Sequence, residues 1–265
     1  MLELIMKTTT LLTRLALSTL LGLSLAAHAE QESLRLGIEA SYPPFAYKSQ
    51  NNELQGFDYD IGEALCAQMK VSCQWKEIEF DGLIPSLKVR KIDAAISSVS
   101  ITDERKRSVD FTHSYYRIPA KLVTRQGNGI EQIPQQLNGK RVGVQRGTNF
   151  DRYATEQFAP LGAEIVRYGT QNEVFLDLLA GRLDASLAGM VAIEEGLFKQ
   201  AEGAAFHFVG PDYSEERYFG YGAGMAVRKN DPLGQRLNDA LAAIKANGTY
   251  DSIRKKYFSI DISGN

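Results

Sequence analysis

The chain has 265 residues, 30 basic against 32 acidic side chains, a formal charge of −2, 44% hydrophobic residues and 23 glycines. A near-neutral balance excludes the large basic surface that nucleic acid or an anionic membrane would need. The length suffices for one large domain or two smaller ones, each with a real core.

Lys7 and Arg14 lie around the start of an apolar run over 11–25, and Ala27-His28-Ala29 offers small residues at the two positions a signal peptidase reads. Residues 1–29 read as a cleaved secretory signal peptide; the alternative, an uncleaved anchor, is disfavoured because the run is short for a membrane span. Cleavage removes Lys7, Arg14 and Glu3, leaving 28 basic and 31 acidic residues and a mature charge near −3. The mature chain then begins at Glu30, soluble and outside the cytoplasm. In an exported chain Cys66 and Cys73 read first as a disulfide, tying the end of a helix to the start of the next strand. Two free thiols, or a metal site with no histidine nearby, are the weaker alternatives.

From there strands and helices alternate. A strand over 34–39 is followed by a helix over 59–69, with Asp58 as its N-cap and Ile61, Leu65 and Met69 at i, i+4 and i+8. A strand is predicted over 74–78. A helix follows over 82–89, with Pro85 tolerable in its first turn. The apolar run 93–96 is a buried strand. Residues 115–124 read as an extended crossing into a second half. That half has a strand ending near Val144, a helix from Thr148 or Asn149 to Gln157, a strand over 164–168 and a helix over 172–180. Residues 218–227, rich in glycine, read as the return crossing, and helices over 232–246 and 250–257 close the chain.

The halves repeat one another. Leu34-Arg35-Leu36-Gly37-Ile38-Glu39 parallels Lys140-Arg141-Val142-Gly143-Val144-Gln145, and Lys91-Ile92-Asp93-Ala94-Ala95 parallels Arg182-Leu183-Asp184-Ala185-Ser186. Strand, helix, strand, helix, strand in each half argues parallel α/β packing. Two crossings between halves make a hinge, and two concave faces on a hinge make a clamp.

The stretch Ser97-Ser98-Val99-Ser100-Ile101-Thr102-Asp103-Glu104-Arg105 follows a buried strand, where ligands of α/β sheets bind. Thr102 or Asp103 can cap a short helix with Arg105 in its first turn. Hydroxyls, free N–H groups and a guanidinium together can receive a carboxylate. The competing reading is an ordinary solvated turn.

The run Gly56-Phe57-Asp58-Tyr59-Asp60-Ile61-Gly62-Glu63-Ala64-Leu65 resembles the signature of the extracellular solute-binding proteins of polar amino-acid ABC importers, such as the periplasmic lysine/arginine/ornithine- and histidine-binding proteins. Tyr59 departs from it, a smaller aliphatic residue being usual. The resemblance runs from about 34 to 258 and takes in Phe80-Asp81-Gly82-Leu83-Ile84-Pro85-Ser86-Leu87 and Gly181-Arg182-Leu183-Asp184-Ala185. It implies a two-lobed α/β fold of the type II periplasmic-binding kind with two crossover hinge strands. Lobe one would comprise 30–116 and 221–265, lobe two 121–214, and the hinge 117–120 and 215–220. It also implies a bridged cysteine pair, a monomer, no cofactor and no metal, with an inner-membrane ABC permease as partner.

Matched residue by residue, the resemblance makes Arg105 the grip on the ligand carboxylate, aided by Ser97, Ser98 and Ser100, with Thr148 and its helix N-terminus as a second donor from the other lobe. Tyr42 and Phe80 match an aromatic pair that sandwiches a flat or long side chain. Glu39 matches an acid for a cationic tip, and Asp58 adds negative potential or merely caps its helix. Gly189 stands where relatives carry an aspartate for the ligand ammonium, which leaves room, and Gln145 adds a polar group facing that space. The expected ligand is therefore a cationic or polar amino acid, or an N-substituted derivative such as an opine. Two other classes stay open: a periplasmic enzyme of the cyclohexadienyl dehydratase type, for which Glu173 is the candidate group, and a sensory adaptor. No Ser-His-Asp set, Cys-His pair or metal cluster is legible, and His113 and His207 lack motif context, so the reading is of a binding protein rather than an enzyme.

Overall fold

A computed structural model describes residues 32–263, and the signal-peptide reading of 1–29 lies outside the described residues. Between Ser33 and the C-terminus the chain forms two five-stranded sheets and a small hairpin sheet. The first sheet contains β1 (Ser33–Ile38), β5 (Ser72–Glu77), β6 (Ala94–Ala95), β7 (Val109–Phe111) and β13 (Ala226–Arg228), in the order β5-β1-β6-β13-β7. The second contains β8 (Ala120–Arg125), β9 (Arg141–Gln145), β10 (Glu164–Tyr168), β11 (Ala185–Gly189) and β12 (Phe206–Tyr213), in the order β10-β9-β11-β8-β12. The short strands β2 (Ser41–Tyr42), β3 (Ala46–Lys48) and β4 (Leu54–Gln55) form the hairpin sheet.

Parallel packing holds only for the core of each sheet. β5, β1 and β6 are parallel, as are β10, β9 and β11, but β13, reached by a crossing, enters antiparallel to β6, and β8 antiparallel to β11. A strand that arrives from the other lobe needs no crossover helix, so it can run either way. The segments that join the lobes lie side by side, with an antiparallel bridge between Tyr116 and Ala223. The return is not extended throughout: Glu216–Phe219 is a helical turn, and the strand begins only at Ala226.

Helices cover both faces of each sheet. α1 (Phe57–Met69) packs over the first sheet with the two closing helices, placing Phe57, Ile61 and Leu65 beside Leu237, Leu241 and Ile253. α2 (Leu83–Lys88), entered through a 3₁₀ turn at Phe80–Gly82, covers the other face with Leu83 and Leu87. α3 (Asp103–Lys106) is a single turn capped by the Thr102 hydroxyl, which accepts the Arg105 N–H. In the second lobe α4 (Asn149–Tyr153) passes into a π-helical turn at Ala154–Phe158, so the predicted helix to Gln157 is wound more widely than expected. α5 (Gln171–Leu179) lies on the opposite face, followed by α6 (Met190–Ile193), α7 (Glu216–Phe219), α8 (Leu233–Ala246) and α9 (Thr249–Tyr257).

The sequence repeat has a physical cause. A Cβ on Gly37 would stand 2.4 Å from Ile92 Cδ1, and one on Gly143 would stand 2.4 Å from Leu183 Cδ1. In both lobes glycine lets the residue before the Asp-Ala strand pack directly on the first strand. The aspartates tie the same strands. Asp93 accepts the Arg35 N–H at 3.1 Å, and Asp184 accepts the Arg141 N–H at 2.8 Å. The cysteines are joined: Cys66 on α1 and Cys73 on β5 form a disulfide that clips the helix end to the edge strand.

Asp58 is not a cap. Gly56 is the N-cap of α1, whose first residues are Phe57 and Asp58, and no side chain caps the helix. Gly56 takes this place because its φ of 125° is closed to other residues, and a Cβ there would strike the Phe45 carbonyl. Asp58, now inside the helix, is turned into the core and fully buried.

Candidate functional site

Between the two sheets lies a cavity of about 680 Å³ lined from both lobes. Its walls are the carboxyl ends of parallel strands, the position that α/β topology favours for ligands. Glu39 follows β1, Ser97, Ser98 and Ser100 follow β6, Gln145 ends β9 and Gly189 ends β11, and all of them line it together with Tyr42, Phe80 and Thr148. Two of the predicted site residues do not. Asp58 lies beneath the wall, and Arg105 lines an adjoining cavity of about 500 Å³ that shares Thr148 and Asn149 with the first.

Glu39 is buried, with 4% of its surface exposed. Its Oε1 accepts the Ser41 hydroxyl at 2.7 Å and the Gln145 amide at 2.8 Å, the latter from the other lobe. Burial pushes its pKa up, and these two hydrogen bonds pull against that shift. Gln145 therefore does not simply face open space: its Nε2 is held by Glu39 and by the Gly169 carbonyl.

The turn after β6 is anchored from below. Asp58 accepts the Ser98 hydroxyl at 2.9 Å and the Tyr115 hydroxyl at 2.7 Å. Ser98 has a φ of 53°, a conformation unusual for serine, and the bond to Asp58 holds it there. Burial raises the Asp58 carboxyl to about 6 despite hydrogen bonds from Tyr115 and Ser98. Asp58 thus shapes the wall without presenting a group to the cavity. The Ser97 hydroxyl accepts the Glu39 N–H, and the Thr148 hydroxyl donates to the Gln145 carbonyl while accepting the Asp151 N–H. These two hydroxyls fix the strand ends and the start of α4.

Arg105 bridges the lobes at the cleft edge. Its Nη1 donates to the Ser100 carbonyl at 3.0 Å and its Nη2 to the Gly147 carbonyl of the second lobe at 3.3 Å. Its guanidinium lies over the Phe80 ring, 5.2 Å from the centroid. Desolvation lowers its pKa to about 10. Its hydrogen bonds go to neutral carbonyls, so this cation still has the capacity to receive an anion.

Gly189 was expected to leave room. That room is taken: a Cβ there would stand 2.9 Å from the Tyr42 hydroxyl oxygen. Tyr42 stacks on Phe45, and Phe45 on Tyr116, giving one wall an aromatic column. Phe45, Tyr116, Asn149 and Phe219 also line the cavity and escaped the sequence reading. Tyr116 and Phe219 lie on the two predicted crossings and Asn149 follows Thr148, so these three adjoined a legible signal. Phe45 carried none. Glu173, the candidate for an enzymatic role, is engaged in a capping box with Thr170 at the start of α5. Among the described residues no group of three or more metal-ligating side chains occurs.

A family model for the bacterial extracellular solute-binding proteins, family 3, matches residues 34–260. An L-arginine-binding protein of Pseudomonas aeruginosa is 52% identical over 260 residues, 98% of this chain and 99% of its own. The lysine/arginine/ornithine-binding periplasmic protein of Escherichia coli is 42% identical over 254 residues, covering 94% of this chain and 98% of its own. Among solved structures, an arginine-specific periplasmic binding protein of Salmonella typhimurium superposes with a TM-score of 0.80 at 33% identity, covering 86% of this chain and all of the other. With two lobes built as internal repeats, a cleft at their strand ends and this likeness over nearly its whole length, the chain belongs to the bacterial extracellular solute-binding proteins, family 3.

Proposed function

We propose that this protein is the periplasmic receptor of an ABC importer for a cationic amino acid, arginine foremost, or for an N-substituted derivative of one. The observation that carries the reading is a half-buried guanidinium hydrogen-bonded to carbonyls, Arg105, set at the edge of the same interlobe cleft as a buried carboxylate, Glu39. Such a pair complements a ligand that has both a carboxylate and a distant positive charge. The aromatic faces of Tyr42 and Phe80 suit a flat guanidinium, by dispersion and cation–π attraction. Relatives named for arginine and for lysine, arginine and ornithine support the same class. The N-substituted alternative rests on Gly189, which brings no carboxylate to the cavity for a free ammonium.

In this reading the segments on either side of the Tyr116–Ala223 bridge act as the hinge. The protein works as a monomer that closes on its cargo and hands it, unchanged, to an inner-membrane permease. Calorimetric titration with L-arginine, L-lysine, L-ornithine, L-histidine and N-carboxyethyl-arginine tests it, alongside a search for product after prolonged incubation. Saturable one-to-one binding without turnover is expected. No binding by any of the five, or conversion of a bound compound, refutes it. Submicromolar arginine affinity would reject the N-substituted ligand in favour of arginine itself.

A further inference from the structure

Gly189 ends β11 with φ −62° and ψ 134°, an extended conformation open to any residue. Glycine is therefore not required here by the backbone, which leaves space as its physical reason. The nearest atom to a Cβ would be the Tyr42 hydroxyl oxygen at 2.9 Å, with Phe150 Cζ next at 3.9 Å. The Tyr42 ring has little freedom to withdraw. It stacks on Phe45 at 5.6 Å with 23° between the planes, and Phe45 stacks in turn on Tyr116 at 5.0 Å. Tyr42 belongs to the first lobe and Gly189 to the second, so this close approach spans the cleft.

We propose that Tyr42 and Gly189 form a size-matched pair across the cleft that sets how far the lobes close on the ligand. The inference rests on the receptor reading and deepens it, giving the Tyr42 hydroxyl a role apart from the stacking face of its ring. A side chain at 189 holds the lobes apart or displaces the phenol, and either outcome loosens the enclosure of the cargo. Removing the hydroxyl moves the nearest ring atom a bond length further off, so a phenylalanine at 42 accommodates a methyl group at 189. The two positions are therefore coupled, and the coupling has a sign: the second substitution cancels the damage of the first.

The test is a double-mutant cycle in the full mature chain, read by calorimetric titration with L-arginine and by melting of the unliganded protein. Gly189→Ala is expected to weaken binding at least tenfold, and Tyr42→Phe no more than about fivefold. The double variant should bind within threefold of Tyr42→Phe alone. Losses that multiply in the double variant, or a Gly189→Ala protein within threefold of wild type, overturn the pairing. A melting temperature lowered by Gly189→Ala and not restored in the double variant also overturns it, because the defect then lies in the fold. If wild-type protein binds none of the four free amino acids or N-carboxyethyl-arginine, the receptor reading fails and this one with it. Wild-type binding with independent losses in the cycle refutes the pairing alone.

Discussion

Replacing Arg105 by alanine should weaken binding strongly and leave stability nearly unchanged. In the folded chain the guanidinium sits in a desolvated place with two carbonyl partners and an aromatic face. Burial lowers its pKa well below the usual guanidinium range, to about 10. At about 1.4 kcal/mol per unit, this puts the cost of holding the charge there near 3 kcal/mol, reduced to roughly 2 by solvent at the cleft edge. The two hydrogen bonds and the stack over Phe80, at about 1 kcal/mol for each such contact, balance that cost to within about 1 kcal/mol. The unliganded Arg105→Ala protein should therefore melt within about 3 °C of wild type. Binding has no such compensation. Truncating one partner of a desolvated charge pair costs about 2–5 kcal/mol, which is roughly 30- to 5,000-fold in affinity. Calorimetric titration with L-arginine and a melting curve without ligand measure the two halves. Affinity within threefold of wild type would refute the anchoring role, and a melting temperature lowered by 8 °C or more would show that the residue serves the fold.

Asp58→Asn tests the buried support under Ser98. The Asp58 carboxyl is raised from 3.8 to about 6, so between those values the folded chain holds a proton that the unfolded chain releases. The stability it contributes is fully present below 3.8 and lost as pH rises through about 6, a change on the order of 3 kcal/mol. The asparagine variant should lack this component, so its melting temperature relative to wild type should rise between pH 4 and pH 7; a constant difference refutes the assignment. Replacing both Cys66 and Cys73 by alanine opens a loop with a separation of seven residues, which by chain entropy costs about 2.5 kcal/mol and lowers the melting temperature by roughly 5–10 °C. An unchanged melting temperature would show that the clip adds nothing to α1 and β5. At the cleft rim Arg146 pairs with Asp81 at 2.7 Å and Arg152 with Glu104 at 2.5 Å. Exposed pairs of this kind contribute about 0–1 kcal/mol each, so Arg146→Ala and Arg152→Ala should each change the L-arginine dissociation constant by less than about fivefold in a calorimetric titration.

Most of the fold was legible because it is written in periodicity and punctuation. The glycine and Asp-Ala repeats marked the first and third strands of each lobe, since close packing on Gly37 and Gly143 and the carboxylates of Asp93 and Asp184 leave a local residue signal. Strand direction was not legible, because β13 and β8 take theirs from a crossing between lobes and not from their own residues. Asp58 misled for a related reason. An acid before an amphipathic run reads as a cap, and only the positive φ demanded of Gly56 moves the helix start back and turns Asp58 inward. The hydroxyls of Ser97 and Thr148 were placed at the right strand ends, yet their bonds hold backbone. Tertiary contacts decide whether a hydroxyl at a cleft serves the wall or the guest, and sequence spacing does not contain them.

Contacts across the cleft fall into two kinds, and their energies argue for closure driven by cargo. Each rim ion pair has one exposed member, Arg146 at 48% and Glu104 at 50%, so solvent screens them and they steer the approach of the lobes more than they hold them. The interior bonds are few. Glu39 to Gln145 is a charge-assisted bond worth about 1.5–3 kcal/mol once made, but making it removes a carboxylate from water, and that opposes it. Neither kind supplies a large surplus for the closed form. Both charges belong to the first lobe and are covered by groups of the second, Gln145 on Glu39 and Gly147 on Arg105, so closing the cleft desolvates them, and a guest that brings a carboxylate to Arg105 and a cation to Glu39 neutralises both at once. The desolvation of Arg105 and Glu39, a cost to the protein alone, thereby becomes the means by which closure depends on a ligand of the right charge pattern.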